Sequence, residues 1–238
     1  MDKKTSFLDH LEELRKRLFV VLAGLAVALT FTLIFSGRLL EFLLLPIHTE
    51  MERVYFMAPQ EGFMVTLKTA FFFALILSFP ILFSQAWGFL ESDLLEKEKK
   101  AFLPMFFAAL ALFLIGIAFA FFLVLPMALQ FFLGFASADL KPLISVGKYI
   151  SFVMNMCLGF GFTFVLPIVL LGLLKMGVIS REFLKRQRPF VIVAIFAVAA
   201  IITPSTDIFS QTALALPLWL LFEGTLVASR WMIPENSK

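Results

Sequence analysis

Carboxylates set among cations are the main chemistry this sequence offers. The stretch SFLDHLEELRKRL, Ser6–Leu18, carries Asp9, Glu12 and Glu13 ahead of Arg15, Lys16 and Arg17. As a helix it presents Phe7, Leu11, Leu14 and Leu18 on one stripe and an acidic face beside it. That face could hold a basic ligand at a membrane surface. The plainer alternative is a solvated helix whose charges only stabilise it. Acid before base suits the helix dipole, and Glu12–Lys16 and Glu13–Arg17 are i,i+4 pairs. A second group, LLEKEKK, sets Glu96 and Glu98 among Lys97, Lys99 and Lys100, and by itself reads as ordinary loop carboxylates among lysines. Other chemistry is poorly supplied. There are two histidines, His10 and His48, and one cysteine, Cys157, within an apolar run. No intrachain disulfide can form, and no P-loop, HExxH, CxxC or GxSxG pattern occurs. No metal, cofactor or nucleic acid is expected.

The elements that must position these carboxylates are membrane helices. Hydrophobic residues make up 61% of the chain and charged residues 16%, which excludes a soluble globular core. Apolar runs predict a single membrane domain over 1–238, with an amphipathic lead-in at 6–17. Spans are expected at about 18–36, 63–90, 102–125, 149–174, 189–203 and 212–231. Pro80 should kink or divide the second, and Pro126 should end the third. Leu39–Leu45, ending at Pro46, is too short to cross. The fold expected is therefore all-α with six transmembrane helices, the fifth and sixth short. A short span must be extended by its flanks, buried by neighbours, or matched by a thinned bilayer. With the N-terminus inside, 15 of the 20 Lys and Arg residues fall on the cytoplasmic side, so both termini are expected there.

Ionisable groups within spans are few, so each is weighed. Glu223 lies seven residues before Arg230, about 10 Å inward at helical rise. Lys68 can snorkel outward from the second span. Gln211 opens the sixth span, where its amide could cap the helix, as could Asp207 just before it. A small-solute transporter would place repeated polar groups at broken, symmetry-related helices, and an intramembrane enzyme would need a nucleophile with its base. Neither pattern is present, although the transporter stays as the alternative reading.

Several of these segments, in this order, resemble the TatC family, the polytopic subunit of the twin-arginine protein translocase. The similar stretches are HLEELRKRL, FPILFSQAWGFLESDLLEKEKK, YISFV and TPSTDIFSQ, and the likeness covers nearly the whole chain. It implies a receptor for signal peptides with two consecutive arginines, carried by folded export substrates and driven across by the proton-motive force. Under that resemblance Glu13 and Glu98 match the signal-binding glutamates, with Glu12 and Glu96 as neighbouring alternatives. Arg15 and Arg17 match the motif and would orient Glu13 or meet lipid phosphates. Gln211, Asp207 and Glu223 form the expected surface for single-span partners of the TatA and TatB type. Further copies of the chain and the lipid bilayer complete the partner set. No chloroplast transit peptide precedes the motif, so a bacterial or archaeal plasma membrane is the expected home. One departure stands out. Phe164-Val165-Leu166-Pro167 has valine where many members carry a glutamate, leaving Thr163 and Asn155 as the nearest polar groups.

Overall fold

Backbone in lipid must satisfy its own hydrogen bonds, and these apolar runs do so as helices. The computed structural model describes residues 3–51, 54–91, 102–137, 141–175, 178–202 and 208–232. Among them the helices are α1 (Lys3–Ile34), α2 (Ser36–Glu50), α3 (Glu61–Glu91), α4 (Phe102–Phe119), α5 (Leu125–Leu133), α6 (Val146–Lys175), α7 (Arg181–Arg186), α8 (Arg188–Ile202) and α9 (Ile208–Met232). The only β geometry among the described residues is a parallel bridge between Tyr55 and Ser145. Among the described residues four segments are long and apolar enough to cross a membrane: Glu12–Ile34, Glu61–Gly88, Leu103–Leu133 and Val146–Lys175. Two shorter apolar stretches, Arg188–Ala197 and Ala215–Val227, follow. At 15 residues α8 is about 22 Å long, short of a hydrocarbon layer of roughly 30 Å.

Proline interrupts these helices less than its chemistry suggests. Pro80 lies inside α3 without dividing it, and Pro46 lies inside α2, which reaches Glu50. The third apolar run does not stop at Pro126. A π-helical turn, Ala120–Val124, joins α4 to α5, and Leu125 donates its backbone N–H to Ala120 O. Pro126 then falls in the first turn of α5, where a missing N–H does little harm.

The chain divides into two compact units. The first comprises Met1–Leu45, Tyr55–Phe106 and Ser145–Ile150. Within it α1 runs antiparallel to α3. The buried Thr32 donates its hydroxyl to Ala70 O at 2.8 Å. Gly24 faces Ile81 so closely that a Cβ would stand 2.8 Å from Ile81 Cδ1. Nearer the charged end, Arg17 meets Gly88. Tyr149 is buried and donates its hydroxyl to Leu43 O at 2.9 Å, fastening α2 to the start of α6.

The second unit comprises Pro46–Val54, Phe107–Ile144 and Ser151–Lys238. Here α4 and α6 approach through glycine and phenylalanine. A Cβ on Gly116 would lie 2.8 Å from Phe160 O, and one on Gly161 would lie 2.9 Å from Phe113 Cε2. Phe119 packs between Phe160 and Phe164, with ring centroids 5.7 and 5.6 Å away. The later helices gather around buried Leu174, Leu184, Phe222 and Leu226.

Candidate functional site

The acidic lead-in is helical, and its two i,i+4 pairs form. Lys16 Nζ lies 3.0 Å from Glu12 Oε1, with both side chains more than half exposed. Such a pair contributes little to stability. Glu13 and Arg17 are arranged differently. Arg17 donates from Nε at 3.0 Å and from Nη2 at 2.6 Å, both to Glu13 Oε1. The same guanidinium reaches across to α3, donating to Gly88 O at 2.8 Å and more weakly to Gln85 O at 3.4 Å. Gly88 lies in the last turn of α3, where intrahelical N–H partners run out and the dipole favours a cation. Arg17 therefore joins Glu13 to α3, and both its bonds to the carboxylate fall on Oε1. Gly88 is glycine for a local reason: a Cβ there would lie 2.3 Å from Arg17 Nη1.

Arg15 is exposed beside this pair. Glu96, Glu98 and Asp207 lie outside the described residues. Gln211 donates from Nε2 to Phe196 O at 2.8 Å, tying α9 to α8. Glu223 is not solitary, because its Oε2 accepts from Arg188 Nη2 at 2.8 Å. Two residues assigned to a partner surface thus also brace their own helices. Val165 is buried at 5% exposure, an apolar residue in an apolar place. Thr163 does not replace a carboxylate there, since its hydroxyl is bonded back to Gly159 O at 2.7 Å. Asn155 is exposed.

At the opposite end of the first unit stands a cluster absent from the sequence reading. Glu61 accepts hydrogen bonds from Ser145 Oγ, from Gly147 N at 2.7 Å and from Met57 N at 2.5 Å. Val146 N donates to Tyr55 O at 3.0 Å beside it. One carboxylate so clasps the segment before α3 to the segment before α6. The available signal was an acid just before an apolar run, at Pro59-Gln60-Glu61-Gly62.

The family model for the Sec-independent protein translocase protein (TatC) matches residues 9–217. The chain belongs to the TatC family. It is 35% identical to the TatC of Carboxydothermus hydrogenoformans over 99% of this chain and 97% of that one. It is 36% identical to the TatC of Magnetococcus marinus, over 97% of this chain and 86% of the relative. The crystal structure of the twin-arginine translocase receptor TatC in DDM superposes with a TM-score of 0.84 at 35% identity, covering 92% of this chain and 98% of that chain. As a TatC-family protein, the chain is a multi-pass component of a protein translocase in the plasma membrane and not an enzyme. Its six spans are the four long apolar helices with the apolar parts of α8 and α9.

Proposed function

We propose that this protein is the signal-peptide receptor and assembly core of a twin-arginine translocase. Signal arginines dock on the cytoplasmic acidic surface formed by Glu13 and Glu98, with Glu12 and Glu96 beside them. The observation that carries this reading is the geometry at Glu13. Arg17 fixes the carboxylate through Oε1 and is itself fixed to α3, so Oε2 is presented in a defined position. A preset carboxylate suits a guanidinium, which prefers planar, charge-assisted contacts. The lysine and arginine distribution supports cytoplasmic termini, which put this surface on the side where unexported proteins wait. Single-span TatA- and TatB-type subunits assemble along α8 and α9 around Gln211, Asp207 and Glu223. Further copies of the chain complete the complex, and the proton-motive force drives transport.

The test is co-purification. Detergent-extracted protein should retain a twin-Arg signal peptide and release its twin-Lys version. Glu13→Gln should weaken the twin-Arg peptide roughly ten- to a hundred-fold, since hydrogen bonds to charged groups are worth about 1.5–3 kcal/mol. Equal retention of both peptides, or unchanged binding by Glu13→Gln, would sink the reading.

A further inference from the structure

At the end of the first unit away from Arg17, large apolar side chains stand exposed where a water-facing loop would carry polar ones. Phe56 is 66% exposed and Phe63 is 67% exposed, with Tyr55, Met57 and Met64 exposed beside them. The segment before α3 is nonetheless held in place. Val146 N donates to Tyr55 O, and Met57 N donates to Glu61, whose carboxylate also accepts from Ser145 Oγ and Gly147 N. The ring of Phe56 rests against α3, since a Cβ on Gly62 would stand 3.5 Å from Phe56 Cε1. Backbone groups that would resist leaving water are thus bonded, while the side chains around them are ones that water disfavours.

Position along α3 gives the depth of this patch. Arg17, bonded to Gly88 O, is a cation at the cytoplasmic end of the span. Lys68 is exposed on the same helix, 20 residues from Gly88, which is about 30 Å at helical rise. That distance is the thickness of the hydrocarbon layer, so the two cations mark its two headgroup levels. A lysine stem carries its ammonium outward, which leaves the Lys68 backbone just inside the hydrocarbon boundary. Phe63 lies five residues further out, about 7 Å, and Phe56 rests against the neighbouring Gly62. Both rings therefore fall in the headgroup layer, roughly 5–8 Å deep on each side.

Continuity names what covers them. Phe63, Met64, Leu67 and Phe71 are all exposed and form one stripe along α3, so the patch runs unbroken into the face that this span gives to lipid. The headgroup layer is also where aromatic rings beside a polar group are favoured, and Tyr55 supplies a hydroxyl. We infer that Tyr55, Phe56, Met57 and Phe63 form an interfacial anchor that seats the first unit in the outer-leaflet headgroups, with Glu61 holding the anchor in place through Met57. The anchor is independent of the receptor reading and of the partner subunits.

The test uses the full chain in vesicles of phosphatidylethanolamine and phosphatidylglycerol, with a spin label on a cysteine placed at Phe56, Phe63 or Phe71. Cys157 is buried, and the unaltered protein carried through the same labelling serves as the blank. Collisions with oxygen and with a nickel chelate, calibrated by spin-labelled lipids, read the depth of each label. Labels at 56 and 63 should lie within about 5 Å of the phosphates, and the label at 71 about 12 Å deeper than that at 63. Glu61→Ala should raise nickel collisions at 56 at least about twofold and leave 63 in place. Met57→Cys replaces Phe56→Cys if the latter fails to fold. Nickel access at 56 and 63 equal to that of a free label in water would overturn the proposal, as would a depth at 56 equal to that at 71. So would an unchanged label at 56 in Glu61→Ala. Protection of 56 and 63 from both reagents would also overturn it, and would assign the patch to a protein contact instead.

Discussion

Replacing Gly88 by alanine tests whether Arg17 sets the position of Glu13. The added Cβ would lie 2.3 Å from Arg17 Nη1, whereas ordinary contact begins at 3.4 Å. The guanidinium must therefore retreat by roughly 1 Å. That movement stretches the 2.8 Å bond from Nη2 to Gly88 O beyond hydrogen-bonding distance. A hydrogen bond to a charged group is worth about 1.5–3 kcal/mol, and the part-exposed pair places this one at the lower end, about 1.5 kcal/mol. The expected outcome is a lower melting point in detergent and up to about tenfold weaker twin-Arg peptide binding, without any change to a carboxylate. Arg17→Met should do at least as much. With Arg17 already gone, Gly88→Ala should add almost nothing, because the two changes remove one interaction. Wild-type melting and binding in Gly88→Ala would refute the clamp, as would full additivity of the two substitutions.

Glu61→Ala should lower the melting point and make the segments around Met57 and Ser145 more sensitive to protease, since Ser145 and two backbone N–H groups lose their acceptor. Glu61→Gln should recover part of that loss. Gln211→Leu removes the bond to Phe196 O and should weaken co-purification of single-span subunits while leaving peptide binding intact; equal loss of both would make Gln211 purely structural. A cysteine at Arg181 should be labelled only from the cytoplasm and one at Ser137 only from outside. Reversed labelling would overturn the orientation.

Local spacing was the part of the site legible in the sequence. Glu12–Lys16 and Glu13–Arg17 are four residues apart on one helix, so helix geometry alone brings them together. Arg17's contact with Gly88 spans 71 residues, and nothing near either residue announces it. Arg188 and Glu223 are likewise 35 residues apart and meet only because α8 packs on α9. Hydropathy found the long helices because lipid leaves the backbone few choices. It misjudged Pro126 because a π-helical turn, a rearrangement of hydrogen bonds with no clear side-chain signature, carries the helix past it. Glu61 escaped notice because its three donors include two backbone groups, and backbone is invisible in a residue pattern.

The clasp at Glu61 also bears on the order in which the protein can be made. Its Ser145 and Gly147 donors are synthesised 84 and 86 residues after the carboxylate they satisfy. The first unit is discontinuous for the same reason, since Ser145–Ile150 belongs to it. While the ribosome is still building α4, α1 and α3 can already pair, but Glu61 has only the local Met57 N–H to hold it. Closing the intervening loop carries an entropic cost that grows only slowly with length, so delay and not distance is the main penalty. A nascent chain stopped before residue 145 would therefore hold an unfinished first unit, in which Glu61 lacks two of the three hydrogen bonds it accepts in the completed fold.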